Sequence, residues 1–302
     1  MKNCYQESVE LEVDSCDESV EVQCSKVSRI ANLDRCRKLK KLALISNRII
    51  KIENLTHNLL LEHLDLYQNK IEVIENLGHL TKLRILDLSF NEITEIKGLE
   101  GLEMLEELYL SSNKITEIKG LDNCLNLTAL ELGNNKIRKI EGLDKLLKLK
   151  SLWLGKNKIT SMKLPHLPCL ERLSLQNNRL KEWDMGITKL TNLCELYLSH
   201  NMLSNPPNLS QMALKIVDLG NNEITRLDEL AKIDLVELWL NNNFIDNIEP
   251  LNDMKKLQVL YLEGNPVQHR LGPSYRNQIL QCCTTISQLD ANIISDRVAQ
   301  SL

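Results

Sequence analysis

The chain has 302 residues, of which 43% are hydrophobic and 26% are charged, and its formal net charge at pH 7 is −4. This composition is typical of an ordinary folded protein, and the negative balance argues against a nucleic-acid-binding surface. No apolar run reaches the 18 residues of a membrane span, and the amino terminus lacks the basic-then-apolar pattern of a secretory signal. We therefore expect a protein without a membrane-spanning segment that works inside the cell.

The first 25 residues are acidic, with seven aspartate or glutamate side chains against one lysine. An excess of like charges is typical of a segment that does not pack into a core. We therefore assign residues 1–19 to an acidic amino-terminal segment or cap. Cys4, Cys16, Cys24 and Cys36 leave one alternative open, which is the disulfide-bearing cap of a secreted repeat receptor.

Residues 20–265 repeat the frame L-x-L-x-x-N at intervals of 21 to 23 residues. Alternate side chains of a strand point to opposite faces, so the two leucines of each copy point inward and the residue between them points outward. The asparagine amide can bond the backbone where the chain leaves the strand. A period of this length with this frame is the leucine-rich-repeat signature. The asparagines in register are Asn47, Asn69, Asn91, Asn113, Asn135, Asn157, Asn178, Asn201, Asn222, Asn243 and Asn265.

The segments between the strands carry apolar residues at a spacing of three, as in Leu77, Leu80 and Leu83. This spacing favours 3₁₀-like or extended segments over an α-helix. One coil cannot bury its own leucines, so neighbouring coils must stack. We therefore predict an α/β fold: a curved, right-handed solenoid of about twelve coils, with parallel strands on the concave face and a 3₁₀ or extended convex side. Trp183 occupies a position that other coils fill with isoleucine, which predicts a core residue.

The two ends of the array depart from the regular frame. Val20 and Val22 fit the frame one period before Asn47, which indicates a degenerate first coil that shields the next one. After Asn265, the residues Tyr275, Ile279, Leu280 and Cys283 recur at helical spacing. We therefore predict that residues 266–302 form a carboxy-terminal cap and tail, with an amphipathic helix covering the last coil.

Motifs of catalysis are missing from the sequence. It contains no G-x-S-x-G, no phosphate-binding glycine loop, no H-E-x-x-H and no C-x-x-C, and its six histidines are scattered. Cys36 and Cys124 stand where other coils carry leucine, which indicates buried cysteines and not ligands. We therefore predict a non-enzyme with no catalytic residue, no metal and no cofactor.

The outward positions between the paired leucines form a column with an unusual composition. Only eleven residues of the chain are aromatic, yet five of the eleven positions in this column are aromatic, four are acidic and none is lysine or arginine. Rings that point away from the core in a row are costly to solubility unless a partner covers them. The column therefore predicts a surface for a protein that presents arginine and lysine. Its members are Ala43, Asp65, Asp87, Tyr109, Glu131, Trp153, Ser174, Tyr197, Asp218, Trp239 and Tyr261.

The strings ILDLSFN, ALELGNN, SLWLGKN and ELYLSHN, with the NP…YR…LD pattern of the cap, resemble the leucine-rich-repeat regulatory subunits of protein phosphatase 1 (the regulatory subunit 7 family). The resemblance covers about residues 20–295. It implies a non-catalytic subunit of the nucleus and cytoplasm that binds the phosphatase catalytic subunit with its concave face, and it allows a third regulatory protein in the complex. Tyr109 and Trp153 differ from the phenylalanines expected there, although the chemical type is kept.

The predicted partner-binding set combines the positions implied by the resemblance with Tyr197, which comes from the column alone. An adaptor for another intracellular partner, axonemal or spliceosomal, is the second alternative, because the fold and the cap are shared with such proteins. The predicted set is Asp87, Tyr109, Glu131, Trp153, Tyr197, Asp218, Glu237, Trp239 and Tyr261.

Overall fold

A computed structural model describes residue 11 and residues 13–294 of the chain. The described residues fall into two compact units, one up to residue 152 and one from residue 153 onward. Strands β1 to β12, defined below, have three residues each and follow one another at the repeat interval. Predictions about residues 1–10, residue 12 and residues 295–302, including any pairing of Cys4, lie outside the described residues.

In the first unit, consecutive strands pair in parallel and in register, so the middle leucine of each strand lies beside the middle leucine of the next. The first strand pairs in the same way with the second, with Val20 beside Leu42. The unit boundary falls within the seventh strand. The strands are β1 (Ser19–Glu21), β2 (Lys41–Ala43), β3 (His63–Asp65), β4 (Ile85–Asp87), β5 (Glu107–Tyr109), β6 (Ala129–Glu131) and β7 (Ser151–Trp153).

In the second unit, strands β8 to β13 continue the parallel pairing, and β13 pairs antiparallel with β14. Three return segments contain 3₁₀ helices, at Met185–Lys189, Leu230–Lys232 and Glu249–Asp253. A further 3₁₀ turn, Gly272–Ser274, separates two short α-helices. The remaining elements are β8 (Arg172–Ser174), β9 (Glu195–Tyr197), β10 (Ile216–Asp218), β11 (Glu237–Trp239), β12 (Val259–Tyr261), β13 (Gln288–Leu289), β14 (Asn292–Ile293), α1 (Pro266–Leu271) and α2 (Tyr275–Cys282).

The apolar spacing of three produces 3₁₀-type turns, as predicted. The backbone N–H of Leu80 donates to the carbonyl of Leu77 at 2.8 Å, and that of Leu83 donates to the carbonyl of Leu80 at 2.9 Å. All three leucines are fully buried. A 3₁₀ turn repeats every three residues, so it places every third side chain on the same, buried side of the coil.

The repeat asparagines tie each coil to its predecessor. The amide nitrogen of Asn91 donates to the carbonyls of Leu66 in the previous coil and Leu88 in its own, both at 3.0 Å. Its amide oxygen accepts from the backbone N–H of Ile71 at 2.9 Å. The same three-way pattern recurs at Asn113 and Asn265. These side chains satisfy backbone groups that would otherwise be buried without a partner.

Buried leucine and isoleucine side chains form the core of both units. Cys36 and Cys124 are buried at leucine positions, as predicted, and burial raises the pKa of the Cys124 thiol to about 11. Cys16, Cys24 and Cys36 form no disulfide among the described residues. The core prediction for Trp183 is wrong: its ring is only half-buried, because its indole N–H reaches out to the carbonyl of Ser204 at 2.8 Å.

Helix α2 confirms the predicted helical cap, with Tyr275 and Ile279 buried on its inner side. The parallel strands, the 3₁₀ returns and this helical end confirm the leucine-rich-repeat fold class. Among residues 11 and 13–294, no helix has the length and apolar character that crossing a membrane requires.

Candidate functional site

The outward column lies on the strand face of each unit, between the buried leucines. In the first unit Asp65, Asp87, Tyr109 and Glu131 are half-buried, and only Ala43 is buried. Strand register places each one directly beside the next. The pleat therefore turns these side chains away from the core, as the sequence predicts.

The column of the first unit is held by hydrogen bonds among its own residues and their neighbours. The Tyr109 hydroxyl donates to Oε2 of Glu107 at 2.7 Å, and the Ser111 hydroxyl donates to Oε1 of Glu131 at 2.6 Å. Burial, followed by the bond to Glu107, raises the pKa of Tyr109 well above its ordinary value. Tyr109 is therefore a neutral ring with a fixed orientation.

The side chain of Asp87 points outward and also accepts a hydrogen bond from the backbone of its own coil. Its Oδ1 accepts from the backbone N–H of Ser89 at 2.8 Å, in a short turn that closes the strand. Burial is the main cause that raises the pKa of this carboxyl. Asp65 makes the same turn with the N–H of Tyr67 at 2.9 Å.

The second unit carries two aromatic pairs on its strand face. The rings of Trp153 and Tyr197 are stacked, with centroids 5.9 Å apart and planes at 26°. They come together across Ser174, a small residue that is only 2% exposed. Trp239 and Tyr261 pack edge to face with centroids 5.6 Å apart and planes at 67°. Both geometries are favourable for aromatic pairs and fix the rings in place.

Asp218 lies between the two pairs, in register with Tyr197 on one side and Trp239 on the other. It is only 5% exposed, which is more buried than an outward position predicts. Its Oδ1 accepts from the backbone N–H of Gly220 at 3.0 Å, and burial raises the pKa of its carboxyl. Beside it lies the half-buried carboxylate of Glu195, which is paired with Arg172.

Glu195 orders one of the rings. Its Oε2 accepts from the Tyr197 hydroxyl at 3.0 Å, and its Oε1 accepts from Nε of Arg172 at 3.3 Å. Burial, then this carboxylate, raises the pKa of Tyr197 to about 12. Glu237 occupies the equivalent place before Trp239 and is also half-buried.

Two features of this face have no signal in the sequence pattern. The indole nitrogen of Trp239 is buried and has no hydrogen-bond partner among the described residues. The Tyr261 hydroxyl accepts from Nε2 of Gln288 at 2.6 Å, so the carboxy-terminal cap reaches the edge of the column. Only the three-dimensional return of the chain after α2 brings Gln288 to this place.

The strand faces thus present half-exposed rings and carboxylates held by local bonds. Within the described part of the chain, no group of three or more His, Cys, Asp or Glu residues is arranged to hold a metal ion. Rigid aromatic rings beside carboxylates suit the recognition of a protein surface with cationic side chains. The predicted partner-binding set stays a prediction.

Comparison with protein-family models finds leucine-rich repeats over most of the chain. A model described as Leucine-rich repeat matches residues 54–161. A second, Leucine Rich repeats (2 copies), matches residues 148–185 and 233–290, and a third, Leucine Rich Repeat, matches residues 192–212.

Among curated proteins, Protein phosphatase 1 regulatory subunit SDS22 of Schizosaccharomyces pombe is 41% identical over 65 residues, which is 20% of this chain and 20% of that protein. The Protein phosphatase 1 regulatory inhibitor subunit PPP1R7 homolog of Arabidopsis thaliana is 37% identical over 114 residues, or 34% of each chain. The Dynein axonemal assembly factor 1 homolog of Drosophila melanogaster is 31% identical over 117 residues, 37% of this chain and 7% of that protein. The matches span about a third or less of these relatives.

Among solved structures, the crystal structure of an internalin (inlF) from Listeria monocytogenes superposes with a TM-score of 0.75 at 22% identity. The superposition covers 92% of this chain and 87% of that chain. A likeness at this level of identity concerns the fold alone.

Proposed function

Because this chain belongs to the leucine-rich-repeat proteins, we propose that it is a non-catalytic subunit that binds the catalytic subunit of protein phosphatase 1 through its strand face. The single observation that carries the proposal is the column of half-exposed rings and carboxylates. Two relatives named as regulatory subunits of protein phosphatase 1 support this choice of partner. Residence in the nucleus and cytoplasm stays a prediction, as does a third regulatory protein in the complex.

The rings and carboxylates contribute in different ways. The paired rings Trp153 with Tyr197, and Trp239 with Tyr261, are already packed, so little side-chain freedom is lost when a partner covers them. The half-buried carboxylates of Glu131, in the first unit, and Glu237, in the second, attract arginine and lysine and select against acidic surfaces. Affinity therefore rests mainly on the rings, and selectivity mainly on the carboxylates.

The test is capture of the purified phosphatase catalytic subunit by the immobilised full chain. The double variant Trp239→Ala, Tyr261→Ala loses capture, because central aromatic anchors cost on the order of 2–4 kcal/mol each when truncated. Tyr261 also holds the cap through Gln288, so Tyr261→Phe is the first control: it removes that bond and keeps the ring. Phe244→Ala is the second control, because Phe244 is 60% exposed on the return side of the same coil as Trp239.

The outcomes separate the proposal from a folding defect. Both controls retain capture, and the double variant keeps a cooperative thermal transition near that of the unsubstituted chain. Full capture by the double variant removes the proposal. A second candidate function, an adaptor for an axonemal or other partner, is favoured by the match to the dynein axonemal assembly factor homolog. It predicts that the well-folded, unsubstituted chain captures no phosphatase at all.

A further inference from the structure

An aromatic pair, with one ring exposed and the other half-buried, lies just after strands β3 and β4, outside the column described above. The rings of Tyr67 and Phe90 are in contact, with centroids 5.0 Å apart and planes at 52°. Phe90 is 47% exposed and Tyr67 is half-buried. Ile45, which occupies the place of Tyr67 in the previous coil, is also half-buried. We call Ile45, Tyr67 and Phe90 the apolar step.

The repeat explains the backbone of Phe90 but not its side chain. Phe90 has φ +56°, and the same left-handed conformation recurs one residue before the asparagine in other coils, for example at Ser46 and Ser112. The conformation is therefore imposed by the coil. Large side chains are unfavourable there, and polar or small residues fill the equivalent positions elsewhere. Phe90 thus places a large ring where the coil disfavours one, packs it against the ring of Tyr67 and leaves about half of its surface exposed to water.

The same comparison applies to Tyr67. Equivalent positions in the next two coils hold Ser89 and Ser111, which are buried small residues. Large apolar groups thus replace small ones in three neighbouring coils of the first unit. Exposed apolar groups that cluster in this way mark a surface that another molecule covers.

The charges around the apolar step specify the chemistry of that molecule. Asp65 lies two residues before Tyr67, and its Oδ1 is held by the Tyr67 N–H at 2.9 Å. Asp87 lies three residues before Phe90 and is held in the same way by Ser89. Among the described residues neither carboxylate forms an ion pair with lysine or arginine. The step is therefore apolar on one side and negative on the other.

We propose that the apolar step docks a segment of a partner protein in which an aliphatic side chain stands next to an arginine or lysine. The aliphatic group rests on the rings of Tyr67 and Phe90, and the cation pairs with Asp65. Neither Tyr67, Phe90 nor Asp65 belongs to the set predicted to bind the phosphatase. Asp65 belongs to the outward column, but the two rings lie outside it, so a variant that removes only the rings tests this proposal separately from the phosphatase proposal.

The test is an NMR titration of the full, isotope-labelled chain with three synthetic peptides. In the first peptide leucine alternates with arginine, in the second leucine alternates with glutamate, and in the third serine alternates with arginine. We expect the leucine–arginine peptide to shift the backbone amides of residues 45, 65–68 and 88–90. The other two peptides are expected to shift them at least about tenfold more weakly, because each lacks one half of the required chemistry.

The repeat itself supplies replacements that preserve the fold. Tyr67→Ser and Phe90→Ser install the residue that neighbouring coils carry at the same positions, so the double variant keeps its melting temperature. Its affinity for the leucine–arginine peptide is expected to be about tenfold lower than that of the unsubstituted chain. Phe244→Ser removes a phenylalanine that is 60% exposed on the return side of the second unit, and it leaves the affinity unchanged.

Three results overturn the proposal. They are the same affinity in the double variant, equal binding of the leucine–glutamate peptide, or no shift at these amides with millimolar leucine–arginine peptide. Sedimentation adds a fourth: self-association that disappears in the double variant assigns the apolar step to a second copy of this chain.

Discussion

The hydroxyl of Tyr275 donates a hydrogen bond of 3.2 Å to Oδ2 of Asp290, which joins helix α2 to the end of strand β13. The other carboxylate oxygen, Oδ1, accepts from the backbone N–H groups of Leu262 at 2.8 Å and Glu263 at 3.0 Å. Asp290 is buried and has φ +53°. One carboxylate thus holds together the helix, the last short strand and the end of β12.

Asp290→Ala is expected to lower the free energy of unfolding by about 2–4 kcal/mol, because it leaves one buried N–H, one part-buried N–H and one buried hydroxyl without an acceptor. Tyr275→Phe removes only one of the three bonds and is expected to cost about 1 kcal/mol. Urea unfolding followed by circular dichroism measures both values. Equal losses in the two variants contradict the central position of Asp290.

Asn91 offers a similar test in the middle of the first unit. Asn91→Ala removes two amide donors to carbonyls and the acceptor of the Ile71 N–H, all in the buried interior. The expected loss is about 2–4 kcal/mol in the free energy of unfolding. Asn123→Ala is the matched control, since Asn123 is exposed and donates one bond of 3.2 Å to the carbonyl of Glu100. Its expected cost is below about 1 kcal/mol. A larger loss at Asn123 than at Asn91 contradicts the stabilising role of the repeat asparagines.

Two glycines of the first unit differ sharply in what a side chain would meet. A Cβ on Gly98 would lie 2.5 Å from the carbonyl oxygen of Ile74, and its φ is +71°. A Cβ on Gly78 would meet nothing closer than 3.9 Å, with φ outside the left-handed region. Gly98→Ala is therefore expected to destabilise the chain by about 1–3 kcal/mol, whereas Gly78→Ala is neutral or slightly stabilising. Thermal unfolding of both variants measures the difference. Similar melting temperatures would contradict the close approach of the backbone at Gly98.

Asp218 gives a pH-dependent prediction. Burial raises the pKa of its carboxyl, so between the ordinary and the raised pKa the folded chain holds a proton that the unfolded chain has lost. In this pH range the contribution of Asp218 to the free energy of unfolding falls as pH rises. Above the raised pKa, the folded chain bears the full cost of the buried charge. Asp218→Asn keeps an oxygen for the Gly220 N–H and removes the charge.

We therefore expect Asp218→Asn to be more stable than the unsubstituted chain at pH 7, with an advantage that shrinks as pH approaches about 4, near the ordinary pKa of aspartate. Urea unfolding at a series of pH values measures the difference. Asp228→Asn, at an exposed return position of the same unit, controls for a general effect of net charge. A variant that is less stable at pH 7 and recovers at low pH shows that the charged form of Asp218 is the favoured one.

The strands and the returns follow from the sequence because both are local. The pair of leucines in L-x-L needs only the pleat, and Leu77, Leu80 and Leu83 need only a turn of three residues. The asparagine contacts join neighbouring coils, but they recur in the same form along the array, because each coil leaves the same backbone groups to be satisfied. Such features can be predicted from one repeat and expected in the others.

The residues that departed from expectation depend on neighbours that the repeat does not specify. Trp183 is too large for the isoleucine position and turns toward Ser204 in the next coil. Asp218 points outward by the pleat, but its bond to Gly220 and its aromatic neighbours cover it. The contact of Gln288 with Tyr261 spans 27 residues and depends on the path of the cap. The repeat frame predicts whether a side chain points into or away from the core. Its size and its contacts then determine how much of it is exposed to solvent.

The affinity of the purified phosphatase catalytic subunit for single-site variants, measured by isothermal titration, tests the binding role of the strand face most directly. We predict that Trp239→Ala weakens binding by about 30-fold or more, the equivalent of losing one central aromatic anchor. Phe244→Ala, on the return side of the same coil, stays within about twofold of the unsubstituted chain. Equal affinities for Trp239→Ala and the unsubstituted chain would contradict the proposal that the phosphatase docks on the rings of the strand face.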